Sequence, residues 1–395
     1  MPWIEEASRT LEIVRSVDVL VAGGGIAGVA AALASARNGA RTLLVEKECA
    51  LGGLATLGMI VRYLPLCDGY GHQVIGGIGE ELMRESQRYG VLKMHGDWYG
   101  IPAVWDGEAT VEARTKKRFE ADYDAGPMIL VLEKLLQEAG VEIWYDTRLC
   151  SVRADDAGVS HLVVENKSGR MALQAKAFVD ATGDADLCFL AGEATESSDQ
   201  NRRSGWYFSI RDDENPVLHT LSDPIHEPCL PGHRFYAGDQ GGDVSAYVQD
   251  MHDMILENAQ KQNSVPFLIP TIPLFRMTRR LCGRETLTKA DLGLWREDAV
   301  ALTGDWRRPA PVYAIGLAHL QGVKCANLFA AGRCISAGGD AWDVTRVIPT
   351  CAATGEAAGT AAAMWAQTGA INLHELKKAL REAGAILDPS LLQKQ

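Results

Sequence analysis

The chain contains no Cys-x-x-Cys and no Cys-x-x-x-x-Cys spacing, although nine cysteines are scattered over its 395 residues. A redox dithiol is therefore excluded, the odd count argues against a closed disulfide framework, and no spacing suits a zinc site. Reduced thiols, no metal and a cytoplasmic location are expected. No run of about 18 uncharged apolar residues occurs, and the opening MPWIEEASRT has acids where a secretory signal needs a basic end and an apolar run. Neither a membrane span nor export by such a signal is expected. Positive charge is short as well: Lys and Arg total 39 against 51 Asp and Glu, a net charge of -12 that repels nucleic acid and anionic membranes. What is present is 47% hydrophobic, enough for large cores, in a length that suggests two or three domains.

The most informative stretch is VDVLVAGGGIAGVAAALASARNGARTLLVEKE. It reads as a buried strand over 17–22, a glycine turn, an alanine-rich helix over 26–38 closed by Gly39, and a second strand over 41–45 that ends in an acid. Gly23, Gly25 and Gly28 fill the three positions of G-x-G-x-x-G. The first permits a tight turn, the second admits a diphosphate to the backbone, and the third lets the helix lie against the strand. Free N–H groups between Gly23 and Gly28, those of Ile26 and Ala27 included, then join the positive helix end in favouring phosphate. Glu46, 18 residues beyond Gly28, stands where an acid accepts hydrogen bonds from a ribose. This unit is expected to hold a dinucleotide.

Downstream, residues 57–120 are rich in glycine and aromatics around one helix, IGEELMRESQRYG, and read as an excursion that lines a site. AGPMILVLEKLLQEAGVEIWYDTRLCSV is a helix stopped by Gly140 and followed by a strand. HLVVENKSGRMALQAKAFVDATGDAD is a hairpin turning at Ser168 and Gly169, then a strand ending at Asp180. Between 199 and 320 the composition changes: nine of the fifteen prolines fall there, with aromatic strands such as GWYFSI and VPFLIPTIPLF. That section reads as a substrate or cap domain inserted between 1–198 and 321–395. In the last section NLFAAGR is a strand entering a turn. VIPTCAATGEAAGTAAAMWAQTGA is a helix of small residues with Pro349 in its first turn, expected to pack beside the first glycine turn.

KECALGGLAT, just past the acid, adds Gly52, Gly53 and Thr56. With the AFVDATGDADLCFLAGE and NLFAAGRCISAGGDAWDVTRVIPTCAATGEAAGTAAA segments, and RMTRRLCGRETLTKADL between them, most of the chain resembles the FAD-dependent oxidoreductases of the glutathione-reductase-type FAD-binding fold. The resemblance implies an α/β protein: a Rossmann-like, three-layer FAD-binding domain with a parallel central sheet, and an inserted mixed-β-sheet substrate or cap domain. It also implies a noncovalent FAD. The diphosphate would lie on Gly23 to Gly28, the adenosine ribose on Glu46, and the middle of the cofactor along Lys47, Gly52, Gly53 and Thr56. The strand at Leu149 and Cys150 would face the adenine, Thr182, Gly183 and Asp184 the diphosphate, and Gly332 and Arg333 the ribityl chain. Arg346, Val347 and the residues up to Thr350 would approach the isoalloxazine, where the start of the last helix stabilises negative charge. No histidine lies between Cys49 and Met59 to tether the flavin, and no second G-x-G-x-x-G follows, so a dedicated NAD(P)H domain is not expected.

Substrate contacts are less sharply marked. Arg276, Arg279, Arg280 and Arg284 form a cluster that either clamps a substrate carboxylate, with Arg276 and Arg280 the candidates, or pairs with acids across an interface. His72 and His319 are candidates for the group that removes a proton while the flavin takes hydride. Tyr70, Tyr313 and Trp342 either line the pocket or are simply packed, and the RTKKRFE run reads as a solvated face or a receiver of anionic substrate. The expected reaction is hydride removal from a CH–OH, CH–NH or CH–CH group of a small organic molecule, with oxygen or another carrier reoxidising the flavin. A reductase fed by free NAD(P)H or a partner protein is the alternative, and a noncatalytic nucleotide-binding protein the least favoured. A homo-oligomer or a redox partner is left open.

Overall fold

The computed structural model describes residues 3–5, 8–92, 100–211, 215–224 and 234–393. The first strand, β1 (Ile13–Ala22), is exposed where it starts and buried from Val19 onward. It starts four residues before the expected one because its first half pairs with a later strand. The glycine turn leads into α1 (Ile26–Arg37), with Asn38 as the capping residue and Gly39 at φ 81°. Every residue of α1 from Ile26 to Ser35 is buried, which explains its alanine content: the helix has no solvent face for polar residues to occupy. β2 (Thr42–Val45) then returns parallel to β1.

α2 (Gly77–Ser86) is the helix foreseen within the excursion. α3 (Ala125–Glu138) ends before Gly140, whose φ of 75° suits glycine at a helix stop, and leads into β3 (Glu142–Trp144). β4 (Arg148–Asp155), β5 (Gly158–Asn166) and β6 (Gly169–Asp180) form an antiparallel meander, the last turn falling at residues 167–168.

In the section after Ser198, β7 (Ser204–Ile210), β8 (Val217–Ser222), α4 (Gly241–Gln262) and β9 (Val265–Leu268) form a small unit. β7 is the central strand, and both neighbours run antiparallel to it, where a mixed sheet was expected. Its own apolar cluster includes Tyr207, Tyr236, Tyr247, Met251, Ile255 and Phe275. The hairpin of β10 (Ala299–Thr303) and β11 (Tyr313–Gly316) instead buries its side chains in the main core.

β12 (Leu328–Ala330) completes the main sheet and α5 (Ile348–Thr368) covers it. The sheet order is β3-β2-β1-β6-β5-β4. β1 pairs with β6 in parallel, and beyond β6 the edge is shared: its first half pairs with β5, and Phe178–Asp180 pair in parallel with β12. α5 lies along α1 so closely that a Cβ added to Gly355 would stand 2.2 Å from the Ala27 carbonyl oxygen, and one added to Gly359 2.1 Å from that of Ala31. The small residues of α5 are thus required by the contact with α1, beginning at the first turn of that helix. No helix among the described residues is long and apolar enough to cross a membrane.

Candidate active site

The C-terminal ends of β1, β2 and β6 and the start of α1 meet at the glycine turn, the place where an open α/β sheet binds ligands. Gly23 has φ 101° and donates its N–H to Val45 O at 2.8 Å, and a Cβ on it would strike the Ala181 carbonyl oxygen at 2.5 Å. A Cβ on Gly28 would lie 1.8 Å from Gly23 O, so this glycine sets the helix against the turn. Gly25 differs: its backbone is extended (φ -65°, ψ 177°), and a Cβ there would meet nothing within 4 Å. No side chain caps the first turn of α1, so its positive end is left to whatever occupies that space.

Glu46 closes the turn from the other side. Its Oε2 accepts from Gly24 N–H at 2.5 Å and its Oε1 from Glu48 N–H at 2.8 Å. Each oxygen therefore keeps a lone pair for a further donor. Burial raises the pKa of this carboxyl, against the pull of those two backbone N–H groups and Lys47. Gly52, at φ 99°, donates its N–H to Gly24 O at 2.8 Å and forms a bridge with Gly25, which brings the second glycine pair beside the first. Thr56 faces inward: its hydroxyl donates to Leu51 O at 2.5 Å.

Opposite, the buried carboxylate of Asp180 accepts from the Thr182 N–H (3.1 Å) and hydroxyl (2.7 Å) and from Cys188 N–H (2.8 Å), which fixes the turn after β6. Each guanidinium nitrogen of Arg333 donates one hydrogen bond to this wall. Nε donates to Gly183 O at 2.8 Å, Nη2 to Asp184 Oδ1 at 2.6 Å, and Nη1 to Phe275 O. Asp186 is pushed up to about 6 by burial and by Asp184 beside it, and pairs with Arg279 at 2.5 Å. Arg346 bonds Asp343 Oδ1 through Nη2 at 2.5 Å and Nε at 3.1 Å. Cys351, on the first turn of α5, donates its thiol to Arg346 O at 3.2 Å; burial pushes it up to about 12, so it is a thiol at neutral pH.

These walls enclose a cavity of about 510 Å³, within the usual range for small-molecule and cofactor sites. Of the expected residues, Gly23, Gly25, Ile26, Ala27, Glu46, Lys47, Gly52, Gly53, Thr182, Gly183, Asp184, Arg333 and Arg346 line it. Gly28, Thr56, Cys150, Gly332 and Val347 do not; Gly332 has φ 76° and packs against Ala27. Leu149 lines the cavity where Cys150 does not, since neighbouring strand residues face opposite ways. No described residue of 57–120 is in the lining. The open space over Gly25, the uncapped helix end and the acid with spare lone pairs fit a dinucleotide's diphosphate and ribose.

The other candidates lie elsewhere. His319 is fully buried, accepts the Gly316 N–H at Nδ1 (3.0 Å), and is pushed down to about 4 by burial and the nearby Arg296. His72 faces Asp68, with Nδ1 to Oδ2 at 2.9 Å. Neither histidine is in the cavity lining. Arg276 reaches Asp343 at 3.4 Å and Arg280 reaches Glu196 at 2.6 Å, the acid pairing that was one of the two readings. Tyr313 and Trp342 are buried, and the Trp342 ring N–H donates to Arg333 O at 2.7 Å. Sequence reasoning missed Gly241 and Val244 at the start of α4, and Ile272, Pro273 and Phe275 after β9, all of which line the cavity. The glycine pair in GDQGGD was the available signal for the first of these.

Comparison with known proteins agrees with this geometry. A family model described as FAD dependent oxidoreductase matches residues 18–267 and 237–382. Aklavinone 12-hydroxylase DnrF of Streptomyces peucetius subsp. caesius is 33% identical over 159 residues, 36% of this chain, and the match spans only 30% of that relative's length. Among solved structures, p-nitrophenol 4-monooxygenase PnpA from Pseudomonas putida DLL-E4 has a TM-score of 0.52 at 13% identity, covering 94% of this chain and 84% of that one. A geranylgeranyl bacteriochlorophyll reductase-like protein from Thermoplasma acidophilum has a TM-score of 0.46 at 15% identity, covering 96% and 82%. At 13% identity the likeness to PnpA is one of fold alone. The family match spans most of the chain: it belongs to the FAD-dependent oxidoreductases and is an enzyme with FAD as its cofactor.

Proposed function

We propose that the enzyme removes hydride from a CH–OH, CH–NH or CH–CH group of a small organic substrate onto noncovalent FAD, with oxygen or another carrier as the final acceptor. The cofactor arrangement is that of the glutathione-reductase-type fold. The observation that carries this reading is one cavity whose lining joins the glycine turn, Glu46 and Gly52 to the start of α5 and to Gly238, Gly241, Val244, Ile272, Pro273 and Phe275 of the inserted section. Residues 1–198 and 321–395 are read as the cofactor lobe and 199–320 as the substrate-covering section.

Gly23 to Gly28 and the first turn of α1 would hold the diphosphate, and Glu46 the adenosine ribose through its spare lone pairs. Bound FAD supplies an electron-pair acceptor, which is the chemistry that no side chain of the site provides. Arg346 and the N-terminus of α5 place positive charge on the cavity wall, which favours negative charge beside them. Ile272, Pro273, Phe275 and Ile348 add apolar side chains to the lining of the same cavity, which would disfavour water beside them once the site is occupied.

The test is anaerobic mixing of the purified holoenzyme with a panel of hydroxy acids, amines and sugars, and separately with NADH and NADPH. Bleaching of the flavin by an organic donor is expected. Bleaching by NAD(P)H alone would overturn this reading in favour of a reductase or hydroxylase.

A further inference from the structure

We infer that Asp343 is a positioning residue, one that fixes how Arg346 presents its guanidinium to the cofactor cavity; this rests on the cofactor arrangement proposed above. Asp343 is outside the cavity lining, so its contact with the site runs through a neighbour. Among the described residues it is the sole hydrogen-bond partner of the Arg346 side chain, whose Nη2 (2.5 Å) and Nε (3.1 Å) both donate to its Oδ1. Arg346 does line the cavity, with only 14% of its side chain exposed.

Asp343 is itself held from several sides. Its backbone carbonyl accepts the Trp306 ring N–H at 3.2 Å, Arg276 Nη2 reaches its Oδ1 at 3.4 Å, and Arg307 Nη1 reaches its Oδ2 at 3.4 Å. Arg307 is anchored in turn on Asp305 (2.9 and 2.8 Å) and Asp340 (2.7 and 3.0 Å). The three arginines thus face three acids and their charges cancel within the group, which makes it a frame rather than a vacant anion site. Burial works against the charge of Asp343, yet Arg346, Arg276 and Arg307 hold its carboxyl below the usual carboxylate range, so it is an ionised acceptor at neutral pH.

One asymmetry gives this frame a function: of its members, only Arg346 lines the cavity. Arg333 and Arg279 also line it, but they are fixed by groups of the lining itself, Gly183 and Asp184 for Arg333, Asp184 and Asp186 for Arg279. Arg346 is fixed by an acid outside the lining. A long side chain with many rotamers delivers its charge to one point only when a second group holds it, which is how outer hydrogen bonds orient the groups that touch a ligand or metal.

The experiment measures the midpoint potential of the bound flavin in the parent holoenzyme, in Asp343→Asn, Asp343→Glu and Arg346→Met, and in the double variant Asp343→Asn/Arg346→Met. It also determines the crystal structure of Asp343→Asn without flavin, and Asp343→Ser serves the same readings if the asparagine variant does not fold. An acid that merely offsets the Arg346 charge requires a higher potential once neutralised, because more positive charge then stands beside the flavin. Loss of positioning has the opposite sign: Asp343→Asn should lower the potential by about half or more of the Arg346→Met shift, and should add roughly nothing once Arg346 is Met. Asp343→Glu, which keeps the charge, should recover part of the loss, and the Asp343→Asn crystal should show the Arg346 guanidinium displaced. Where Arg346→Met does shift the potential, a raised or unchanged value in Asp343→Asn, or an equal shift with and without Arg346, would overturn the inference, as would a guanidinium that keeps its place. A parent-like potential in Arg346→Met would count against the cofactor arrangement instead, and the guanidinium position in the Asp343→Asn crystal then decides the inference alone.

Discussion

Two neighbouring glycines should fail in opposite ways when alanine replaces them. At Gly28 the new methyl would lie 1.8 Å from the Gly23 carbonyl oxygen, a backbone atom that cannot rotate away. Helix and turn must part by more than 1 Å to restore ordinary contact, an overpacking cost of about 3 kcal/mol that outweighs the ~1 kcal/mol gained in helix propensity. At Gly25 the backbone already has a conformation that alanine adopts, and the methyl meets no protein atom within 4 Å. Gly25→Ala should therefore leave the apoprotein as stable as the parent or about 0.4–1 kcal/mol more stable, by restricting the unfolded chain. The same methyl occupies the space into which a diphosphate must come to reach the N–H groups of the turn. Displacing it forfeits at least one or two charge-assisted hydrogen bonds, about 3 kcal/mol or more, a loss of roughly 100-fold in FAD affinity. Urea unfolding of the flavin-free proteins measures the first quantity, and quenching of FAD fluorescence on titration the second. A Gly25→Ala protein that binds FAD like the parent would refute the assignment of the turn to the diphosphate, and one that unfolds as readily as Gly28→Ala would refute the steric reading.

Further outcomes follow from the same structure. Arg346→Met removes a buried positive charge from the cavity wall and should lower the two-electron midpoint potential of the bound flavin by roughly 20–60 mV, the equivalent of about 1–3 kcal/mol; spectroelectrochemical titration against dyes of known potential checks this. Gly359→Ala would drive a methyl to 2.1 Å from the Ala31 carbonyl oxygen, so α1 and α5 must separate and the denaturation midpoint should fall by the equivalent of about 2–3 kcal/mol. Glu356 is buried mid-helix on α5, with Oε2 accepting the Ile78 N–H at 3.0 Å, and burial raises it from 4.5 to about 8. Between those values the folded chain keeps a proton that the unfolded chain has released, so its contribution makes stability fall as pH rises through that window. Glu356→Gln should remove a few kcal/mol of that slope, which unfolding of both proteins at pH 5, 7 and 8.5 would reveal; parallel pH profiles would contradict it.

The local frame was legible because it is written in short-range rules. Strand, glycine turn and helix succeed one another within 22 residues, Gly140 and Pro349 mark helix ends by backbone geometry, and the 17–22 hydrophobic run can only be a buried strand in that setting. The small residues of α5 also announced a close approach, which the Gly355 and Gly359 contacts fulfil. What depends on distant partners was not legible. Arg279, Arg280 and Arg276 find Asp186, Glu196 and Asp343, acids far away in sequence that only the tertiary fold brings together. His319 stands beside the expected site in sequence, yet its ring is sealed by the β11 turn, and nothing in AHLQG discloses that. The contribution of α4 was hidden for the same reason: Gly241 and Val244 reach the cavity because the small sheet positions that helix, not because of a local signal beyond a glycine pair.

The most direct test is a crystal structure of the chain with FAD. It should show the diphosphate over Gly25, the adenosine ribose against Glu46 and the isoalloxazine beside Arg346 and Cys351. FAD bound outside this cavity, or lying in it with the adenine against Arg346 and the isoalloxazine at Glu46, would contradict the account.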